Sequence, residues 1–154
     1  MKTRSAYDSE VECTHLVMPP DTNNMGNCFG GRLLSWMDIA AGVSAYRHCG
    51  RPAVTVAIDE IHFSEAVHLG DIVVIKSQVD FVGKTSMEVS VSVDVDDVKN
   101  RVHKHCLDGY FTFVALDDNG KPIEVEGICP QTDVQLRRYD AAEARKANRP
   151  KRIK

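Results

Sequence analysis

Asp38 is the residue of this sequence whose type and position best fit chemical work. It lies in the segment from Gly30 to Cys49, which is otherwise rich in apolar and small residues and has the pattern of a helix. It is the only carboxylate of that segment, and the helical period places it at the margin of the apolar stripe. A carboxylate there is partly desolvated, which is costly unless the charge is used, so Asp38 is a candidate general base. The structural alternative is an aspartate that reaches solvent or an arginine of a neighbouring subunit.

A glycine-rich loop enters this helix and offers a second chemical feature. Residues 21–31 contain three glycines and several Asx residues, which bond their own backbone and let a second molecule approach closely. The first turn of a helix has backbone N–H groups without partners and a positive dipole end, so Gly30 and Gly31 suit a developing negative charge. A plain tight turn is the alternative. The helix is predicted to end near Cys49, because Gly50 can adopt the left-handed cap and Pro52 cannot continue it.

The elements that must position these residues form an α+β pattern. A short strand from Val11 precedes the loop, and after the helix come segments rich in β-branched residues, joined by short turns. We predict strands at 53–63, 72–82, 87–96 and 103–116, and we interpret the first of them as a central strand because it is apolar on both faces. Helix-forming composition returns at 132–147. The pattern predicts a curved antiparallel sheet wrapped around one long helix, with its other face used in self-association.

Length and composition indicate one globular domain. The chain has 154 residues, 43% of them apolar and 27% charged. We predict a frayed N-terminus at 1–10, the folded domain at 11–130, and a basic C-terminal helix and tail at 131–154. The sequence has no apolar run of the roughly 20 residues that a membrane span needs and no apolar signal core, so we predict a cytoplasmic protein without a membrane span. Its five cysteines show no CxxC spacing, which favours reduced thiols over disulfides or zinc.

The charge is unevenly distributed along the chain. From Gln135 onward there are eight basic residues and two acidic ones, although the whole chain has a net charge of −3. Such a tail is a solvated end, a nucleic-acid arm or a contact for an anionic ligand. Nucleic acid is the weakest of these interpretations, because no aromatic residues are interleaved and the rest of the chain is acidic.

Short motifs in one consistent order add a family resemblance that covers residues 11–148. They are Pro20-Asp21-Thr22-Asn23, Phe29-Gly30-Gly31, Trp36-Met37-Asp38, Val54-Thr55-Val56-Ala57-Ile58-Asp59, Gly83-Lys84-Thr85-Ser86-Met87-Glu88 and Tyr110-Phe111-Thr112-Phe113. Together they resemble the acyl-CoA thioesterases of the hotdog fold, the cytosolic acyl-coenzyme A hydrolase family. The resemblance implies a single hotdog fold that pairs edge to edge, with the active site between the two protomers and a trimer of dimers as the assembly.

The resemblance also implies site residues and a substrate. It implies hydrolysis of fatty acyl-CoA to free fatty acid and coenzyme A, with no cofactor. The implied functional residues are Asn23 and Asp38. The implied coenzyme A contacts are Thr55, Val56, Ala57, Lys84, Thr85, Ser86 and Arg145. Lys84 departs from the arginine common at its position in the family, and it keeps the charge but lacks the fork that grips a phosphate through two bonds.

These residues fit the needs of thioester hydrolysis. Asp38 would act as general base or as direct nucleophile, and Asn23 of the partner subunit would orient the water or the carbonyl. Gly30 and Gly31 would supply donors for the oxyanion. One alternative is a non-catalytic acyl-CoA-binding or regulatory module. A hotdog dehydratase or hydratase is a weaker alternative, because that chemistry needs a histidine paired with an acid, and the only histidine of the helix, His48, lies at its far end.

A metal site is not predicted by the sequence. His103 and His105 alternate onto one face of a strand, but no other paired ligand is in view, so a surface role is predicted for both.

Overall fold

A computed structural model describes residues 2–150 of the chain. In chain order the elements are β1 (Thr3–Ser5), β2 (Val11–Leu16), α1 (Gly30–Cys49), β3 (Ala53–Asp59), β4 (Ile72–Val82), β5 (Ser86–Asp97), β6 (Val102–Ala115), β7 (Gly127–Cys129) and α2 (Asp133–Ala147), with 3₁₀ helices at Ala6–Ser9 and Pro19–Asp21. The architecture is α+β, as predicted. No helix within residues 2–150 has the length and apolar character needed to cross a membrane.

Helix α1 has the bounds that the sequence predicts. Gly50 ends it in the left-handed conformation at φ 65°, and its N–H donates to the carbonyl of Tyr46 at 2.8 Å. The face that packs on the sheet is made of small and apolar residues with one buried histidine, namely Leu33, Met37, Ala40, Ala41, Ser44, Ala45 and His48. Ile39 and Tyr46 on another face are 63% and 58% exposed, so the described residues leave part of the apolar surface of α1 uncovered.

The main sheet has five antiparallel strands in the order β2-β4-β5-β6-β3, and it wraps around α1. Strand β5 alternates as its sequence predicts, since its valines face the core while its serines and acids face outward. Phe111 and Phe113 of β6 are buried on the same inner side. The predicted curved antiparallel sheet around a central helix is therefore confirmed.

The prediction that β3 is a central strand is wrong. Among the described residues, 2–150, β3 pairs with β6 alone and forms one edge of the sheet. Val54 and Ile58 on it are 45% and 38% exposed. A run that is apolar on both faces does not distinguish a strand flanked by neighbours from an edge strand whose apolar side chains are open to a partner.

The prediction of a frayed N-terminus is also wrong for residues 3–9. Strand β1 pairs in parallel with β7, and Ala6 and Ser9 are buried. The Ser9 hydroxyl accepts from the Val79 N–H at 3.0 Å and donates to the Ala6 carbonyl at 2.9 Å. The partner strand lies more than a hundred positions away, so the local polar composition of this segment does not predict the pairing.

Helix α2 lies on the face of the sheet opposite to α1. Thr132 caps its start, because its hydroxyl accepts from the Gln135 N–H at 3.1 Å. Ala142 and Gln135 are its buried residues, and Tyr139 packs against Phe81 of β4. The outer face that we expected to be open for self-association is therefore partly covered by this helix. The rest of the predicted basic tail, residues 151–154, lies outside the described residues.

Candidate functional site

Asp38 lies half-buried in α1 and is hydrogen-bonded to the edge strand β3. Its Oδ1 accepts from the hydroxyl of Thr55 at 2.7 Å. A hydroxyl that donates to a carboxylate holds it in one orientation and is stronger than a neutral pair. The pairing of β3 with β6 shifts register between Thr55 and Ala57, a bulge-type irregularity that re-aims side chains. Asp38 is therefore half-buried at the margin of the apolar stripe and bonded to β3, and its role as general base stays a prediction.

The N-terminus of α1 presents the two glycines as predicted. Phe29 is the cap residue and makes no side-chain hydrogen bond to the helix. The N–H groups of Arg32 and Leu33 return to the Phe29 carbonyl at 2.9 and 3.2 Å. Within the described part of the chain no hydrogen bond is found for the N–H groups of Gly30 and Gly31, so both are donors available to a ligand. A Cβ on Gly31 would lie 2.6 Å from the Phe29 ring, so a side chain there requires the ring to move.

Asn23 lies exposed in the loop that leads to α1. Its side-chain oxygen accepts from the N–H groups of Met25 and Asn27, at 3.0 and 3.2 Å, and so shapes the loop as an Asx turn. The amide nitrogen remains a donor for a group outside the loop. No hydrogen bond joins Asn23 to Asp38 among the described residues of one chain.

The turn between β4 and β5 lies beside the end of α2. The Gly83 N–H donates to the Ser86 carbonyl at 2.8 Å, and Lys84 is 80% exposed with its Nζ 3.5 Å from Glu124. A Cβ on Gly83 would lie 2.1 Å from the Nζ of Lys146, so the absence of a side chain leaves room for this ammonium group. Two ammonium groups therefore lie next to this turn.

Arg145 is bound to a buried acid that the sequence analysis did not single out. Its Nε and an Nη donate to Glu88 at 2.8 and 2.6 Å, and its guanidinium lies 3.6 Å from the centre of the Tyr110 ring. Arg149 donates to the other oxygen of Glu88 at 3.0 Å and reaches Asp59 at 3.2 Å. Burial raises the pKa of Glu88, and the hydrogen bond and charge of Arg145 oppose that rise.

A cleft on the other side of the sheet does not include Asp38 in its wall. It has a volume of about 770 Å³ and lies between α2 and the outer face of the sheet, with Gln78, Asp80 and Arg145 in its wall. Burial raises the pKa of Asp80 to about 6. Polar and apolar side chains both line this cleft and Asp38 is not among them, so it is not a slot for an acyl chain next to the candidate base.

Comparison with known proteins identifies the family. The family model described as the thioesterase superfamily matches residues 25–100. The Bacillus subtilis protein named "uncharacterized acyl-CoA thioester hydrolase YkhA" is 38% identical over 98% of this chain and 88% of its own length. The chain belongs to the thioesterase superfamily.

Solved members of the superfamily share the whole fold. An acyl-CoA hydrolase from Staphylococcus aureus, solved with butyryl coenzyme A and coenzyme A, superposes with a TM-score of 0.86, at 39% identity over 94% of this chain and 91% of that one. A structure described as an apo-hexameric acyl-CoA thioesterase gives a TM-score of 0.92, at 35% identity over 96% and 95%. The hotdog fold and the family that the sequence resemblance implied are confirmed.

The structure of this thioesterase brings some of the predicted residues together and leaves others apart. Asp38 and Thr55 are in contact, whereas Lys84 and Arg145 lie at a second location, near the end of α2. Glu88 and Arg149 were missed. Glu88 follows the outward-facing alternation of β5, as Asp94 and Asp96 do, so no signal in the local pattern separates it from ordinary surface acids.

The remaining polar clusters indicate no metal centre. His103 and His105 are exposed and hydrogen-bond Asp96 and Asp94, which confirms their predicted surface position. Among the described residues, no group of histidine, cysteine or acidic side chains is arranged to hold a metal ion.

Proposed function

We propose that this thioesterase hydrolyses fatty acyl-CoA to a free fatty acid and coenzyme A, with Asp38 as general base or nucleophile. The observation that carries the assignment is the hydrogen bond from Thr55 to Asp38, which holds the only carboxylate of α1 in a fixed orientation. The relatives named acyl-CoA thioester hydrolases support the substrate class. The S. aureus relative has also been solved with single alanine substitutions at an asparagine, an aspartate and a threonine, the residue types that this chain has at Asn23, Asp38 and Thr55.

The proposed reaction uses one charge and two backbone donors. In the general-base route, Asp38 accepts a proton from water as the water oxygen attacks the thioester carbonyl. The N–H groups of Gly30 and Gly31, at the positive end of α1, stabilise the oxyanion that forms. The carbon–sulfur bond then breaks, and the thiolate of coenzyme A leaves and takes up a proton. In the nucleophilic route, the Asp38 carboxylate attacks the thioester carbonyl, the carbon–sulfur bond breaks and the coenzyme A thiolate leaves with a proton from solvent; water then cleaves the mixed anhydride to the free acid and regenerates the carboxylate.

The proposed site is completed by a second protomer. Strand β3 is an edge strand with exposed apolar side chains, and α1 exposes Ile39 and Tyr46. A partner that pairs along β3 would cover such surfaces, and its Asn23 would present an amide to the cleft at Asp38. We further propose that the dimers assemble into a trimer of dimers, as hexameric structures among the relatives suggest.

The coenzyme is proposed to lie along the edge strand and across the outer end of α2. Thr55, Val56 and Ala57 would contact the pantetheine arm, and Lys84, Thr85, Ser86 and Arg145 would contact the nucleotide. Phosphate groups favour such basic surroundings. The reaction is proposed to take place in the cytoplasm, which is consistent with five cysteines that form no disulfide.

Release of free thiol from a series of acyl-CoAs tests the proposal. The wild type is expected to turn over, and Asp38→Asn is expected to lose about 10²–10⁴-fold in kcat, since the amide does not accept a proton. Asp140→Asn, an exposed carboxylate on α2, is the matched control and should keep full activity. Binding of acyl-CoA by the wild type without turnover would instead indicate a non-catalytic module. Full activity of Asp38→Asn would contradict the role given to Asp38, and light scattering after size exclusion tests the assembly.

A further inference from the structure

Glu88 is a carboxylate buried on the outer side of the sheet, where charged side chains are normally solvated. Its side chain is 3% exposed. Removal of a carboxylate from water is expensive, and a single ion pair often fails to offset that cost. Glu88 therefore needs several partners, and α2 and the residues just after it supply them. Arg145 donates two hydrogen bonds to Oε1, and Arg149 donates one to Oε2.

The two arginines are fixed by more than Glu88. The guanidinium carbon of Arg145 lies 3.6 Å from the centre of the Tyr110 ring, which is within the range of a cation–π contact. Arg149 also bonds Asp59, the last residue of β3. Glu88 thus connects three elements: its own strand β5, the end of α2, and the end of the edge strand β3. Without Glu88, Arg145 would keep its contact with Tyr110 and Arg149 its ion pair with Asp59, but both would lose the hydrogen bonds that orient their guanidinium groups.

This network lies next to other cations. Lys146 places its ammonium group against Gly83, and the exposed Lys84 follows in the same turn. Four cations therefore surround the end of α2, facing three acids, Glu88, Asp59 and Glu124. The local charge is positive, and the negative end of the helix dipole stabilises cations there. A positive surface with pre-oriented guanidinium groups suits a ligand that carries several phosphates.

We infer that Glu88 is a positioning residue for the coenzyme: it holds Arg145 and Arg149 so that the cations at the end of α2 meet the phosphates of acyl-CoA. This inference rests on the proposed function. It assigns the phosphate contacts to the whole group of cations, including Lys146 and Arg149, rather than to Arg145 and Lys84 alone. Glu88 does not touch the reacting atoms, so its loss should weaken binding of the nucleotide part and leave the chemical step unchanged.

Two substrates with the same acyl group separate this role from a purely structural one. One is an acyl-CoA, and the other is the matching S-acyl pantetheine, which lacks the nucleotide and every phosphate. In Glu88→Gln we expect KM for the acyl-CoA to rise about tenfold, with kcat changed less than about twofold, because hydrogen bonds between charged groups are lost. KM for the pantetheine thioester should stay at the wild-type value. Asp80→Asn is the control and should change neither KM, because Asp80 is another buried outer-face acid, and it accepts no hydrogen bond from these arginines.

Several outcomes would overturn the inference. Equal changes for both substrates would indicate general damage to the fold, and no change for either would exclude the positioning role. Should Glu88→Gln fail to fold, Glu88→Asp keeps the charge and withdraws it by one methylene, and the same selective rise in KM is expected, at about threefold. Calorimetric titration with free coenzyme A is independent of turnover. A wild type that binds coenzyme A but does not hydrolyse acyl-CoA would refute the proposed function. A Glu88→Gln variant with the wild-type affinity for coenzyme A would refute the role of Glu88.

Discussion

Replacement of Thr55 by valine removes the hydroxyl that donates to Asp38 and preserves the shape of the side chain. The bond is 2.7 Å long and has a charged acceptor, and such bonds contribute about 1.5–3 kcal/mol when they are buried. Because Thr55 is exposed and Asp38 only half-buried, we take a value just below that range, about 1.4 kcal/mol. If the bond orients the base in the transition state, kcat should fall about tenfold in Thr55→Val.

The assay is steady-state release of free thiol, measured in four proteins: wild type, Thr55→Val, Asp38→Asn and the double variant. In the Asp38→Asn background the charged acceptor is gone, so Thr55→Val should then change kcat less than about twofold. Thr14→Val, an exposed threonine on the other edge strand β2, is the matched control and should behave as wild type. The reasoning is refuted if Thr55→Val leaves kcat unchanged, or if it lowers kcat equally with and without the Asp38 carboxylate.

Further predictions concern the helix N-terminus and two buried titratable groups. Gly31→Ala should lower kcat/KM about tenfold, because the new methyl group fills space at the proposed oxyanion donors. The thermal stability should not change, because the exposed Phe29 ring can move away from the new Cβ. An unchanged kcat/KM would contradict this prediction. The folded-state pKa of Asp80, about 6, exceeds the ordinary value of 3.8, so the folded protein binds the proton more tightly and its stability falls as pH rises between these two values. Asp80→Asn should therefore raise the free energy of unfolding at pH 8 by up to about 3 kcal/mol and have no effect below pH 4. Urea denaturation at the two pH values measures this difference. Burial lowers the pKa of His48 in the folded state, so the neutral imidazole stabilises the protein above the unfolded-state pKa of about 6.5, and this contribution is lost as pH falls. His48→Gln should therefore flatten the decline of the melting temperature between about pH 7 and 5. An equally steep decline in the variant would exclude His48 as its source.

Local signals in the sequence were sufficient for the elements near the proposed site. The run of small and apolar residues after Gly30, followed by the left-handed Gly50, sets the bounds of α1 within the chain itself. Strict alternation in β5 likewise separates its buried valines from its outward polar residues. The position of Asp38 at the margin of the apolar stripe follows from the same periodicity, so the candidate base was predictable without coordinates.

Pairings between distant residues were not predictable in the same way. The contact between Arg145 and Glu88 joins residues 57 positions apart, and in the sequence Arg145 is one of eight cations in a basic segment. The hydrogen bond from Thr55 to Asp38 joins α1 to β3 beside a register shift, and residue composition predicts neither the contact nor the shift. The pairing of β1 with β7 turned an apparently frayed end into part of the fold.

The sequence by itself determined the central helix, the alternation of the sheet, the family and the acid within the helix, because each is encoded in neighbouring residues or in motifs in a fixed order. Only the tertiary structure decided that β3 is an edge strand, that Thr55 holds Asp38, and that Glu88 holds the arginines of α2. These features arise when segments far apart in the chain are brought together, and the free energy of such contacts depends on burial and geometry rather than on residue type alone.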